Sequence, residues 1–262
     1  MIKVKDIAGA IEEFAPLPLQ EHYDNAGLQV GDPEMNVSAI LLCLDVTEEI
    51  LKEAKARNCN MIVSHHPLIF KGLKNLTGAT PIQRIAMDAL QSSIAIYSAH
   101  TNLDSAFDGV SYEMANNLGL KDLQVLVPSE TGASTGLGVV GITGNPVPRM
   151  EFLRKVKETF GVKALRYSGE SQNVVVRKVA LCGGSGASFI ENAIGAGADV
   201  FLTGDVKYHD FTNYGHRILI ADIGHYESEL CSRKILSRII REAFPDCIAY
   251  FSETENNPIK VL

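Results

Sequence analysis

LLCLDVTEEILKEAKARNCNMIVSHH, residues 41–66, decides the fold class. Two apolar runs, AILLCLDV (39–46) and NMIVS (60–64), read as buried strands, and TEEILKEAKARN (47–58) reads as the helix between them. Thr47 suits the N-cap, Glu48 and Glu49 suit the first turn, and Ile50, Leu51 and Ala54 supply an apolar stripe. Strand, helix and strand in succession make a βαβ unit and place the chain in the α/β class. The second strand stops at two histidines and Pro67. Side chains alternate along an extended strand, which would send His65 and His66 to opposite faces. Pro67 fixes its own φ and restricts its predecessor, so the chain can turn here and let each imidazole serve a different metal of one pair.

Outward from this unit, SIAIYSA (93–99), GLGVVGIT (136–143), VVVRKVALCGG (174–184), ADVFLTG (198–204) and RILIADI (217–223) read as further strands. EFLRKVKETFG (151–161) and GASFIENAIGAG (186–197) read as helices, and a long last helix is expected from Tyr226 to Ala243. VPSETGASTG (127–136), rich in turn formers, is the expected lobe boundary. It divides the chain into an N-terminal α/β lobe, 1–126, and a C-terminal one, 127–262, whose last helix and strand pack back on the first.

The two halves resemble each other. ALCGGSGASFIENAIGAGADVFLTGD aligns with the opening stretch when Cys43 is set against Cys182, bringing Ser64 opposite Thr203 without a gap. His65 and His66 then face Gly204 and Asp205. Each half continues to a buried strand followed by a His-x-x-x-acid pair, His100 with Asp104 and His225 with Glu229. Two pseudo-symmetric α/β lobes with mixed sheets are expected. Their strand ends would share one crevice, the usual ligand site of open α/β sheets.

The 262 residues are 46% hydrophobic and 21% charged, as in a globular protein with a substantial core. A net charge of −7 offers no basic footprint for nucleic acid. The N-terminal stretch MIKVKDIAGAIEEF has neither the apolar core of a secretory signal nor the acid-poor makeup of a transit peptide, and no run is long enough for a membrane span. Five cysteines without a CxxC pattern argue against a disulfide framework and fit a reducing cytoplasm.

The chemistry therefore rests on His65, His66, His100, Asp104, Asp205, His209, His225 and Glu229. Imidazole and carboxylate without thiolate suit zinc, manganese, iron, cobalt or nickel. Five or more such donors exceed one tetrahedral zinc and would serve two metals bridged by a carboxylate. His225 and Glu229 share a face at i,i+4; a second register, His225 with Glu227, is less helical. The same pair reads equally as a solvated salt bridge, and Asp104 as a helix cap. GGSGAS (183–188) is a Gly-rich strand-to-helix turn that could cradle phosphate, but it lacks the full nucleotide fingerprints, and tight packing explains it better.

Through YDNAGLQVGD (23–32), LCLDVT (42–47), SHHPLIF (64–70), YSAHTNLD (97–104), LCGGSG (181–186), TGDVKYHD (203–210) and GHYESE (224–229), the chain resembles the Nif-three-like family, the GTP cyclohydrolase type 2 homologues. Tyr23 stands where the family's first motif usually has Trp, and there is no room for the domain inserted in some relatives. The resemblance implies two interlinked α/β lobes, a dinuclear centre and a homohexameric toroid. By motif it makes His65, His66, Asp104, His225 and Glu229 the metal ligands. His100 and Asp205 become orienting groups, with Tyr208 and His209 in the neighbourhood. The implied function is a metal-dependent hydrolase with a metal-activated water and His100 as proton shuttle, acting on a small molecule or purine nucleotide. The alternative is a non-catalytic metal-binding ring for metal handling or partner binding.

Overall fold

The computed structural model describes residues 1–129, 132–169 and 175–262. Two compact units emerge, Met1–Leu103 with Ser232–Asn256, and Asp104–Cys231 with Asn257–Leu262. The first piece of chain forms α1 (Val4–Phe14), β1 (Gly27–Val30), β2 (Ile40–Cys43), α2 (Glu48–Ala56), β3 (Met61–Ser64), α3 (Pro81–Gln91), β4 (Ala95–Ser98) and α4 (Thr101–Ser105). The division between the units falls within α4. The second unit contains α5 (Val110–Asn117), β5 (Lys121–Ser129), β6 (Gly132–Pro148), α6 (Arg149–Phe160), β7 (Arg166–Tyr167), β8 (Val175–Leu181), α7 (Ile190–Gly195), β9 (Val200–Thr203), α8 (Tyr208–Tyr214), β10 (Leu219–Asp222) and α9 (His225–Glu229). The chain then returns to the first unit with α10 (Ser232–Ala243) and β11 (Ala249–Phe251).

The first unit carries a mixed sheet ordered β1-β4-β3-β2-β11, parallel except for β1. Every residue of β2, β3 and β4 is buried, as expected of parallel strands covered on both faces. Leu41, Cys43, Ile62 and Ile96 pack with Ile50, Leu51 and Ala54 of α2 and Ile85, Ala86 and Ala89 of α3. At roughly 1.5–3 kcal/mol for each large aliphatic side chain, this face supplies much of the unit's cohesion. Thr47 caps α2 by accepting from the Ile50 amide at 3.2 Å, as the sequence predicts.

The second unit carries a mixed sheet ordered β5-β6-β8-β9-β10-β7. Its β8, β9 and β10 are parallel neighbours, the arrangement of β2, β3 and β4 repeated. Ala180, Cys182, Phe201 and Ile220 pack against Ile190 and Ala193 of α7. Among the described residues no helix is long and apolar enough to cross a membrane.

Three expectations change. The division of the chain falls at Leu103/Asp104, not at 126/127. VPSETGASTG is not a linker: its described residues lie in β5 and β6, which pair antiparallel from Lys121↔Ile142 to Ser129↔Gly132, so its turn formers mark a hairpin. Its Glu130 and Thr131, like Val174 of the expected strand 174–184, lie outside the described residues. The expected helix over 226–243 is two helices, α9 and α10. Leu230 and Cys231 separate them, and on α9 buried Ser228 donates its hydroxyl to the His225 carbonyl at 2.7 Å.

Candidate metal centre

In the first unit the chemistry gathers where three parallel strands end level, at Cys43↔Ser64 and Ser64↔Ser98. Successive amides of an extended strand turn to opposite neighbours. Here the amides of His65 and His66 both donate toward β2, to the carbonyls of Cys43 (3.2 Å) and Leu44 (2.9 Å). Alternation therefore breaks between the two histidines. The Ser64 and Ser98 hydroxyls hold the turn by donating to the His66 carbonyl at 2.8 and 3.2 Å. Both imidazoles consequently lie on one side, with ring centroids 5.1 Å apart. His100, just beyond β4, completes a triangle at 5.4 Å from His65 and 5.5 Å from His66.

Each ring is fixed through Nδ1. His65 Nδ1 is 2.7 Å from the Ala99 carbonyl, His66 Nδ1 is 2.8 Å from Asp45 Oδ1, and His100 Nδ1 is 2.7 Å from Asp24 Oδ1. Carbonyl and ionised carboxylate oxygens only accept, so each Nδ1 carries a proton, and the tautomer of a neutral ring has its lone pair at Nε2. Asp24 also accepts from the Thr101 amide at 3.1 Å and from the Thr101 hydroxyl. Burial opposes its charge, yet the hydrogen bonds from His100 and Thr101 hold its pKa down at about 2.

The second unit repeats the device. His225 opens α9 after Gly224, whose φ of +85° an L side chain would resist. His225 Nδ1 lies 2.7 Å from Asp205 Oδ2, and Nε2 lies 2.9 Å from Glu229 Oε2. Asp205 sits at the end of β9 with φ +55°, a left-handed conformation that aspartate tolerates. Glu227 is instead engaged by Asn257 Nδ2 at 2.9 Å, so the Glu229 register is the one that forms. The glycine turn after β8 is a packing device. The Gly184 amide is taken by Ser228 Oγ at 2.9 Å and that of Gly186 by Thr203 Oγ1 at 2.8 Å. A Cβ at Gly184 would overlap Glu229 Oε1, and one at Gly204 would lie 2.7 Å from the His225 backbone nitrogen.

Of the sequence candidates, the structure brings His65, His66 and His100 together in one unit, and Asp205, His225 and Glu229 in the other. Asp104, on α4, lies near Cys182: burial pushes that thiol up, and the charges of Asp104 and Glu229 push it further. His209 lies on α8, exposed, its ring edge-on to exposed Tyr208 at 5.3 Å.

The family model described as Duf34/NIF3 (NGG1p interacting factor 3) matches residues 2–258. The chain belongs to the Duf34/NIF3 family. A Clostridium acetobutylicum GTP cyclohydrolase 1 type 2 homolog is 37% identical over 244 residues, covering 92% of this chain and 91% of the relative. Drosophila melanogaster NIF3-like protein 1 is 30% identical, covering 98% and 88%. Among solved structures, the Bacillus cereus protein related to NIF3 superposes with a TM-score of 0.89 at 25% identity, covering 100% of this chain and 99% of that one.

Sequence reasoning missed Asp24 and Asp45 as individual groups, although both lie in NIF3 motifs, YDNAGLQVGD and LCLDVT. Their carboxylates fix His100 and His66 as that of Asp205 fixes His225. A carboxylate in a short motif lying 76 or 21 residues from a strand-end histidine is the signal that was present.

Proposed function

We propose that His65, His66, Asp104, His225 and Glu229 hold two divalent transition-metal ions and that the loaded protein is a hydrolase. In this reading the first unit contributes His65 and His66, and the second contributes Asp104, His225 and Glu229. The observation that carries it is the orientation of the imidazoles. His65 and His66 each have Nδ1 bound to a carbonyl or carboxylate, the way metal-ligating histidines are held, and His225 has Nδ1 on Asp205 and Nε2 against Glu229. Donors that are nitrogen and oxygen alone fit zinc, iron, manganese, cobalt or nickel.

Bound ions of this kind supply Lewis acidity and acidify water toward neutral pH. The chain's own residues would do the rest. His100 takes or returns a proton at Nε2 while Asp24 holds Nδ1–H and stabilises the imidazolium. Asp45 and Asp205 keep His66 and His225 aimed. The names of the curated relatives direct the substrate search to purine nucleotides. The family resemblance adds a homohexamer, which native mass spectrometry would register at six times 28.4 kDa.

The test is metal content and turnover. Stripped and reloaded protein should bind two ions per chain, and Asp104→Ala and His225→Ala should each lose part of that content. Loaded wild type should turn over a member of a nucleotide, ester and amide panel. Full metal content in both variants overturns the ligand assignment. No turnover with any loaded metal overturns the hydrolase reading and favours a non-catalytic ring.

A further inference from the structure

The segment after β11 comes back to the C-terminal end of β2. Glu255 Oε1 accepts hydrogen bonds from two successive amides there, those of Leu44 and of Asp45 (3.2 Å). Its side chain is 5% exposed, and Arg233 Nη1 on α10 lies 2.7 Å from Glu255 Oε2. The Glu255 amide is itself tied to Ser252 Oγ at 3.1 Å. Burying a carboxylate costs free energy that only charge-assisted bonds offset, and two of these bonds go to the strand end carrying Asp45. The Asp45 carboxylate then meets His66 Nδ1 at 2.8 Å.

We infer that Glu255 is a positioning residue for His66. By holding the Leu44 and Asp45 amides it sets the direction of the Asp45 carboxylate, and through it the tautomer and aim of the His66 ring. The inference rests on the proposed reading of His66 as a metal ligand.

The fold supplies a matched control. Glu53, on α2, grips the same segment earlier along the chain. It accepts from Ser252 Oγ (2.6 Å), the Glu253 amide (3.0 Å), and the Thr254 amide (3.1 Å) and hydroxyl (2.6 Å). Loosening the segment at Glu53 tests a merely structural role, whereas loosening it at Glu255 also releases Asp45.

Full-length wild type, Glu255→Ala, Glu255→Gln, Glu53→Ala and His66→Ala would be stripped of metal and titrated with Zn²⁺ against a chelating dye. Nitrogen-15 NMR of labelled histidine would read the His66 tautomer. E255A should weaken one of the two ions about tenfold and shift the His66 Nδ1 resonance, in the range found for groups that orient ligands. E255Q, whose amide oxygen can still accept from both amides, should recover most of the affinity. E53A should lower stability and leave affinity and resonance unchanged. If E255A does not fold, Glu255→Asp, which draws the carboxylate back by one methylene, takes its place with the same expectation. Wild-type affinity in E255A or E255D, or equal losses in E53A, overturns the inference. Unchanged loading in H66A overturns the underlying metal reading, and the inference with it.

Discussion

Gly184→Ala separates backbone cost from damage to the proposed metal centre. Gly184 has φ +60°, where an L side chain costs about 1–2 kcal/mol. The added methyl would also overlap Glu229 Oε1 and stand 3.0 Å from its Cδ, against the 3.5–4.0 Å at which carbon atoms rest. The carboxylate must retreat by roughly half an ångström or more. It would then leave the 2.9 Å contact with His225 Nε2. Gly197→Ala is the control, because its φ is +69° with nothing within 4 Å of the new methyl. Both variants should lose about 1–2 kcal/mol in urea denaturation. Only G184A should also lose metal affinity, by about 10–100-fold in a competition titration. Wild-type affinity in G184A, or equal losses in both variants, would refute the claim that Gly184 is a glycine to seat Glu229.

Asp205→Ala should lower metal affinity by a similar 10–100-fold, since His225 loses the acceptor that orients it; isothermal titration checks this. Asp24→Asn should leave metal content intact and cut kcat by about 10²-fold or more, as the proposed proton shuttle His100 loses its partner. Glu53→Gln should flatten the acid limb of stability. Burial opposes the charge of Glu53, but the hydroxyls of Ser252 and Thr254 and the amides of Glu253 and Thr254 hold its pKa at about 2 against an ordinary 4.5. A lowered carboxylate stabilises the fold above pH 4.5 and ceases to as pH falls toward 2, a contribution on the order of 3 kcal/mol. Parallel acid limbs for wild type and E53Q, followed by circular dichroism, would contradict this.

The parts of the fold legible in the sequence were those governed by local pattern. The β2–α2–β3 unit announces itself because parallel strands covered on both faces are continuous apolar runs and Thr47 is a local cap. The strand-end histidines stand out for the same reason, polar groups at the limit of apolar runs. What stayed hidden depends on partners remote in sequence. The break in alternation at His65–His66 is held partly by Ser98, 32 residues from the His66 carbonyl it grips. Asp24 reaches His100 across 76 residues, and Glu255 reaches Leu44 across 211. The turn formers at 127–136 were visible, but composition does not separate a hairpin from a linker; only the β5–β6 pairing does. The two-residue interruption between α9 and α10, Leu230 and Cys231, carries no helix breaker in the sequence.

Anomalous diffraction from crystals of the metal-loaded protein tests the central claim most directly. The account predicts two metal peaks per chain, bonded through Nε2 of His65, His66 and His225 and through carboxylate oxygens of Asp104 and Glu229, with Nδ1 of His66 and His225 still on Asp45 and Asp205. Peaks elsewhere, or coordination through Nδ1, would contradict it.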